Sequence, residues 1–313
     1  MWKYIIRRVL AIIPVAVVIA VFVFLLLHLA PGDPAAIIAG DTAMPEDIAR
    51  IRVKLGLDDP IYIQFVRWMG QLLRGDLGIS IYSDMPVTAL IFQRMEATLC
   101  LATASITIAI LMAVPMGILA AWKAGTWIDY VVMMFAVFGF SIPVFVIGYL
   151  LIFGFSIHLH WFPVQGFVSI REGLLPFLRS ITLPSLALGL IYAALIARIT
   201  RASVLEILAQ DYIRTAHAKG LNSYAVLVRH TLRNAAIPIV TIIGIGIALL
   251  IGGVVVTESV FNIHGIGRLV VDAILSRDYP VIQGIILMSS GVYLVINLIV
   301  DISYRFFDPR VEY

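Results

Sequence analysis

Charge and cysteine are what this chain has least of. Only 13% of its 313 residues are Asp, Glu, Lys or Arg, whereas 61% are hydrophobic and the mean hydropathy is +1.02. That balance excludes an ordinary soluble domain, about a quarter of whose residues would be charged, and indicates an integral membrane protein. The single cysteine, Cys100, excludes an internal disulfide and a cysteine metal cluster; set in an apolar run, it reads as a small buried residue. Lysine is confined to Lys3, Lys54, Lys123 and Lys219, none of which follows a glycine, so there is no phosphate-cradling P-loop. Neither H-E-x-x-H nor G-x-S-x-G occurs, which argues against the familiar membrane proteases and hydrolases. A net charge of +3 is too small to argue for a nucleic-acid partner.

Runs without charge define the spans. They lie between Arg8 and Asp33, Glu96 and Lys123, Asp129 and Arg171, Arg179 and Arg198, Arg233 and Glu258, and Asp278 and Asp301. Crossing a hydrocarbon core takes roughly 20 apolar residues in a helix. Six windows therefore predict six helices, the third long enough for a span plus an exposed loop. The first run flows into LHLAPGDP without a small-x-small cleavage site, so it reads as a retained span, not a removed leader. With the N-terminus inside, the cytoplasmic pieces carry 12 Lys and Arg and the two short outer loops carry 4. Both termini are therefore expected in the cytoplasm.

The long first loop has a structure of its own. PGDP (Pro31 to Pro34) predicts a turn, and PEDIARIRVKLGL a short helix from Pro45 to about Gly56. IYIQFVRWMGQLL sets Ile61, Phe65, Trp68, Met69 and Leu72 on one stripe, an amphipathic helix suited to the outer membrane face. Prolines recur within the spans at Pro14, Pro115, Pro143 and Pro184, where neighbours can satisfy a freed carbonyl. Span five carries Gly244, Gly246, Gly252 and Gly253 between apolar residues, a pattern of close helix packing or path lining.

No window contains an internal charge, although one at mid-bilayer would cost only about 2.5–3.5 kcal/mol on insertion scales. Carriers that bind ions or relay protons usually accept that cost, so a self-driven carrier is disfavoured. The spans are then polar only through Ser, Thr, Tyr, Asn and backbone groups. His158 and His160 flank an expected interfacial Trp161, and interfacial packing accounts for them better than a metal pair.

The most polar stretch between two spans is Asp211 to Pro238. Asp211 suits a helix start, Tyr212 to Lys219 holds no breaker, and Gly220 supplies a left-handed stop. Asn222 or Ser223 can cap a second helix, which Pro238 discourages from continuing simply. The small Thr215, Ala216 and Ala218 would let another surface approach closely. A plug for a partner's groove and an ordinary basic loop both satisfy this pattern.

Five stretches in order resemble one family, the inner-membrane permease subunits of bacterial ABC importers for dipeptides, oligopeptides, glutathione and nickel. They are LHLAPGDPAAIIAG, LGLDDPIYIQFVRWMGQLLRGDLGIS, TRASVLEILAQDYIRTAHAKGL with LRNAAIPIVT, FNIHGIGRLVVDAILSRDYPVIQG, and VDISYRFFDPRVEY. The resemblance covers essentially the whole chain and implies an all-α, six-helix type I importer permease fold in one domain. Span one would occupy 1–30, a periplasmic loop 31–95, and a five-span core 96–313, with a coupling loop at about 199–237. In such importers this loop seats a helix in a cleft of the ATPase subunit. By resemblance Arg214 stands where many relatives have Glu, Thr215 and Ala216 stand for two alanines, and Gly220 is the motif glycine. Arg233 occupies the general motif's proline position, the nearest proline being Pro238, a departure that favours the peptide branch. The implied ATPase-contact set is Asp211, Arg214, Thr215, Ala216, Lys219 and Gly220. The implied partners are a second permease, two ATP-binding subunits that hold the ATP and magnesium, an external solute-binding protein, and membrane lipid. No cofactor, metal or catalytic group is expected in this chain. The alternative from another class is a self-sufficient secondary transporter or channel.

Overall fold

The computed structural model describes residues 2–29, 35–36, 44–55 and 57–307; the turn expected at Pro31 to Pro34 and the expected stop at Gly56 lie outside them. Helices dominate because a segment in hydrocarbon must satisfy its own backbone N–H and C=O groups. In order come α1 (Trp2–Leu29), α2 (Pro45–Leu55), α3 (Ile61–Leu73) and α4 (Val87–Trp122). Next are α5 (Trp127–Ser141), α6 (Val144–Leu151) with a π-helical continuation over Ile152–His158, and α7 (Leu174–Leu208). The remaining helices are α8 (Asp211–Ala218), α9 (Leu232–Gly253), α10 (Val255–Val260), α11 (Ile266–Leu275) and α12 (Tyr279–Phe307).

Among the described residues, five helices are long and apolar enough to cross a membrane, and the pair α5 and α6 brings the number to six if it counts as one span. The third window is thus not one straight helix, since its halves meet at 102°. Pro143 causes the break, with Ile142 before it in extended conformation at φ −88° and ψ 125°. Pro14, Pro115 and Pro184 are absorbed inside α1, α4 and α7. So is Pro238, where the sequence predicts a stop: α9 runs through it to Gly253. Losing one N–H in apolar surroundings costs less than opening the rest of the ladder.

The chain groups into two compact units, Met1–Met95 with Arg268–Leu294, and Glu96–Gly267 with Val295–Tyr313. In the first, Phe24 of α1 meets α3, its ring centroid 5.3 Å from Phe65 and 5.6 Å from Trp68. Phe65, Trp68, Met69 and Leu72 are half-buried as the stripe predicts, but Ile61 is exposed. Gln283 Nε2 donates to the Val23 carbonyl at 2.9 Å and so pins α12 to α1. The turn before α4 is organised by the buried Asp278. Ser80 Oγ donates to Asp278 Oδ2 at 2.5 Å, and the Ile81 N–H donates to Oδ1 at 3.2 Å.

The second unit has a core of small residues. Ala97, Ala102, Ala109 and Ala113 of α4 join Ala187, Ala193 and Ala197 of α7, which lets the backbones close together where lipid supplies no hydrophobic drive. A Cβ at Gly244 of α9 would collide with Val300 of α12, so this glycine serves packing. The charges that bound the windows are not all at water. Glu258 is wholly buried and Asp129 nearly so. Thr98 Oγ1 donates to Glu258 Oε1 at 2.7 Å and accepts the Ile266 N–H at 2.8 Å. Such burial is tolerable because each carboxylate has donors.

Candidate functional site

α8 follows α7 after a two-residue break, with Gln210 extended at its N-cap and Asp211 in its first turn. The helix stops at Lys219 and Gly220. The Gly220 N–H reaches the His217 carbonyl at 2.9 Å, and Gly220 turns the chain at φ +82°. An added Cβ there meets nothing within 4 Å, so the demand is conformational, not steric. Asn222, not Ser223, caps the next turn of helix: its Oδ1 accepts the Ala225 N–H at 2.7 Å. Ser223–Ala225 and a π-helical turn over Val226–Thr231 then lead into α9.

The left-handed turn supports a direct test. Gly220→Val should destabilise the turn between α8 and α9 by about 1–2 kcal/mol, and Gly220→Asn by clearly less, since Asn tolerates this backbone region. Hydrogen exchange over residues 211–225 would read the difference. Equal protection in both variants and wild type would remove the conformational role.

The faces of α8 are distinct. Ile213 and Ala216, one turn apart, pack with Val226 against Ile207 and Leu208. Asn234 Nδ2 donates to the Tyr212 hydroxyl at 3.0 Å and to the His230 carbonyl at 2.8 Å, tying α8 to the start of α9. Of the six residues predicted from sequence, the structure exposes Asp211, Arg214, Thr215, Lys219 and Gly220. It turns Ala216 inward, 7% exposed, where a small side chain lets α8 sit close to the chain's own core. The Arg214 to Asp211 contact is 3.5 Å between side chains that are 79% and 95% exposed. Such a pair adds little stability, and both charges are free to re-pair with another surface.

A second feature was missed by sequence reasoning. Arg201 of α7 grips Asp129 of α5 with two parallel hydrogen bonds, Nε to Oδ1 at 2.5 Å and Nη2 to Oδ2 at 2.7 Å. The Gly125 N–H adds a third at 3.0 Å. Asp129 is 4% exposed at its side chain and Arg201 is 25% exposed. The pair fixes α5 to α7 shortly before α7 leads into α8. In sequence Asp129 reads only as the boundary of a charge-free run, and Arg201 only as one of the basic residues counted to the cytoplasmic side. His158 lies 3.2 Å from the Phe153 carbonyl through Nδ1, with its ring centroid 4.5 Å from that of Phe153. Among the described residues no group of three or more metal-ligating side chains comes together.

Known proteins match along the whole length. Residues 113–313 match the family described as binding-protein-dependent transport system inner membrane component. Residues 1–102 match the family described as binding-protein-dependent transport system membrane component, N-terminal. The chain is 50% identical over 313 residues, covering all of both, to "Probable peptide ABC transporter permease protein y4tP" of Sinorhizobium fredii. It is 44% identical, again over the full length of both, to the glutathione transport system permease protein GsiC of Escherichia coli O6:H1. Among solved structures it is similar to the MetNI methionine ABC transporter in an inward-facing conformation. There the TM-score is 0.56 at 17% identity, covering 70% of this chain and 96% of that one, a likeness of fold.

Proposed function

Because this chain belongs to the family of inner-membrane components of binding-protein-dependent transport systems, we propose that it forms part of the translocation path for a short peptide, or for a similarly small solute such as glutathione or a nickel complex. Family membership makes it a multi-pass inner-membrane permease subunit of an importer. The solute class draws support from relatives named for peptide and glutathione transport. The partners in this reading are a second permease, two ATPase subunits that bind ATP and magnesium, and an external solute-binding protein. Both termini lie in the cytoplasm, in keeping with the excess of Lys and Arg on that side.

One observation carries the mechanism: α8 is anchored on its inner face by Ile213, Ala216 and Val226 while its polar face stands clear. We assign that face to the ATPase contact, with Thr215, Lys219 and Gly220 at its centre and Asp211 and Arg214 as rim charges. A push on α8 passes into α7 through Ile207 and Leu208, and toward α9 through Val226 and the Tyr212 to Asn234 hydrogen bond. The Asp129 to Arg201 clamp carries the movement on to α5. Packed helices transmit displacement of this kind because their interfaces hold discrete arrangements.

Affinity purification from the native membrane, followed by mass spectrometry, tests the assembly. Recovery of a homologous permease together with P-loop ATPases is the expected result. A lone chain or homo-oligomer under gentle detergent would favour a self-sufficient carrier. In the reconstituted complex, Gly220→Val should lower solute uptake at least tenfold while ATP hydrolysis continues. Wild-type coupling in that variant would remove α8 from the contact.

A further inference from the structure

In the second unit a pocket of about 480 Å³ opens between two neighbouring span ends, where the π-helical tail of α6 stops at His158 and α7 starts at Leu174. The chain itself fixes its walls. Phe162 packs on Phe155 with ring centroids 6.4 Å apart, and Phe167 on Phe177 at 6.1 Å. The Val168 N–H donates to Ser180 Oγ at 3.2 Å, and the Ser180 hydroxyl donates to the Phe177 carbonyl at 2.9 Å. The Gly166 N–H donates to the Phe261 carbonyl at 2.8 Å, so the loop is held from a third side. His160 lines the pocket from a left-handed backbone at φ +55°, a conformation that costs a non-glycine residue free energy and that clusters at ligand clamps. Two donors in this lining have no partner: Arg179 of α7 and Gln165 are exposed, and neither makes a hydrogen bond or ion pair among the described residues. No Asp or Glu lines the pocket among the described residues. The guanidinium is therefore open to an acceptor from outside, and its fork suits a pair of anionic oxygens.

The setting decides which anion. Arg179 stands five residues into a membrane-spanning helix, about 7.5 Å along its axis from Leu174. Leu175, one turn before it, also lines the pocket and is 62% exposed, and Leu174, Leu178 and Trp161 are exposed around it. Water is a poor cover for three leucines and an indole, whereas the glycerol region and acyl chains of a bilayer lipid suit them. A soluble anion would pair with Arg179 and leave that apolar rim wet; a phospholipid meets both needs. With a cation and no acid in the lining, the field favours a headgroup of net negative charge. We infer that this pocket holds the headgroup of an anionic phospholipid. Arg179 pairs with the phosphodiester and Gln165 donates to it, while Trp161 flanks the glycerol region and the exposed leucines meet the chains. The bound lipid braces the junction of α6 and α7. The site follows from where the two spans end, whatever solute the chain passes.

The test uses the full chain with its co-purifying subunits in lipid nanodiscs, doped with a phosphatidylglycerol that carries a photoreactive diazirine on its headgroup. After irradiation, mass spectrometry locates the cross-links. They are expected within residues 160–180 when the background lipid is phosphatidylcholine, and should fall at least tenfold when unlabelled phosphatidylglycerol replaces it. Equal labelling in the two backgrounds overturns the selectivity, and this comparison on the wild-type chain decides the matter even if a variant fails to fold. In the phosphatidylcholine background Arg179→Gln should lose the cross-links at least tenfold. Arg171→Gln should keep them, since Arg171 is exposed nearby but does not line the pocket. A comparable loss in both variants means that the label reads surface charge alone, and overturns the site. Displacement by glycerol 3-phosphate in the buffer makes the ligand a water-borne anion and overturns the lipid. Cross-links that form in the lone chain and vanish in the assembled complex show a protein partner over the pocket, which overturns it as well.

Discussion

Arg201→Ala is expected to destabilise the chain by about 3–5 kcal/mol, the usual cost of leaving one member of a buried ion pair without its partner. Asp129 would keep only the Gly125 N–H among its present donors while remaining 4% exposed at its side chain. Arg201→Lys should recover part of this but not all, because an ammonium cannot reproduce two parallel bonds to one carboxylate. The double variant Arg201→Ala with Asp129→Ala should be clearly more stable than Arg201→Ala alone, since it removes the stranded charge. Thermal unfolding in detergent measures all three. A loss below about 1 kcal/mol in Arg201→Ala would show that the clamp behaves as a surface pair.

The second large effect is expected at Gly265, in the tight connection between α10 and α11. A methyl group there would run into the Glu258 carboxyl and the Thr98 hydroxyl, which are bonded to one another. Neither can retreat freely, because Glu258 is wholly buried and Thr98 also accepts the Ile266 N–H. Gly265→Ala therefore combines overpacking with damage to a charged hydrogen bond, together about 3 kcal/mol or more. Glu258→Gln, which keeps the shape and an acceptor for Thr98, should cost less. If Gly265→Ala unfolds at the wild-type temperature, the close approach at this knot has no energetic weight.

Legibility in the sequence tracks how local each cause is. Gly220 announces a left-handed stop and Asn222 a cap through their own chemistry, and both appear where the pattern places them. The charge-free windows find the spans because the bilayer imposes a length. Proline is harder. Pro143 breaks its span at 102° while Pro115, Pro184 and Pro238 are carried inside continuous helices, and the difference depends on what neighbouring helices supply. The phase of α8 was not read, for Ala216, expected at the partner contact beside Thr215, stands with Ile213 on the buried face. The Asp129 to Arg201 clamp was not read either, since 72 residues separate its members and each had a sufficient local explanation, Asp129 as the end of a charge-free run and Arg201 as a cytoplasmic basic residue.

The first unit is built from two stretches far apart in the chain, Met1–Met95 and Arg268–Leu294, and this sets an order of events during synthesis. Ser80 must wait for Asp278, 198 residues later, and the Val23 carbonyl waits 260 residues for Gln283. Until α12 leaves the ribosome, the Ser80 turn lacks its acceptor and α1 lacks its buried amide donor. The continuous stretch from Glu96 to Gly267 has no such wait, because its alanine-rich contacts close between segments already made. Long-range closure of this kind is slow relative to local helix formation. The half-made chain therefore stays in the membrane with its first span held to α3 through Phe24 but not yet to α12.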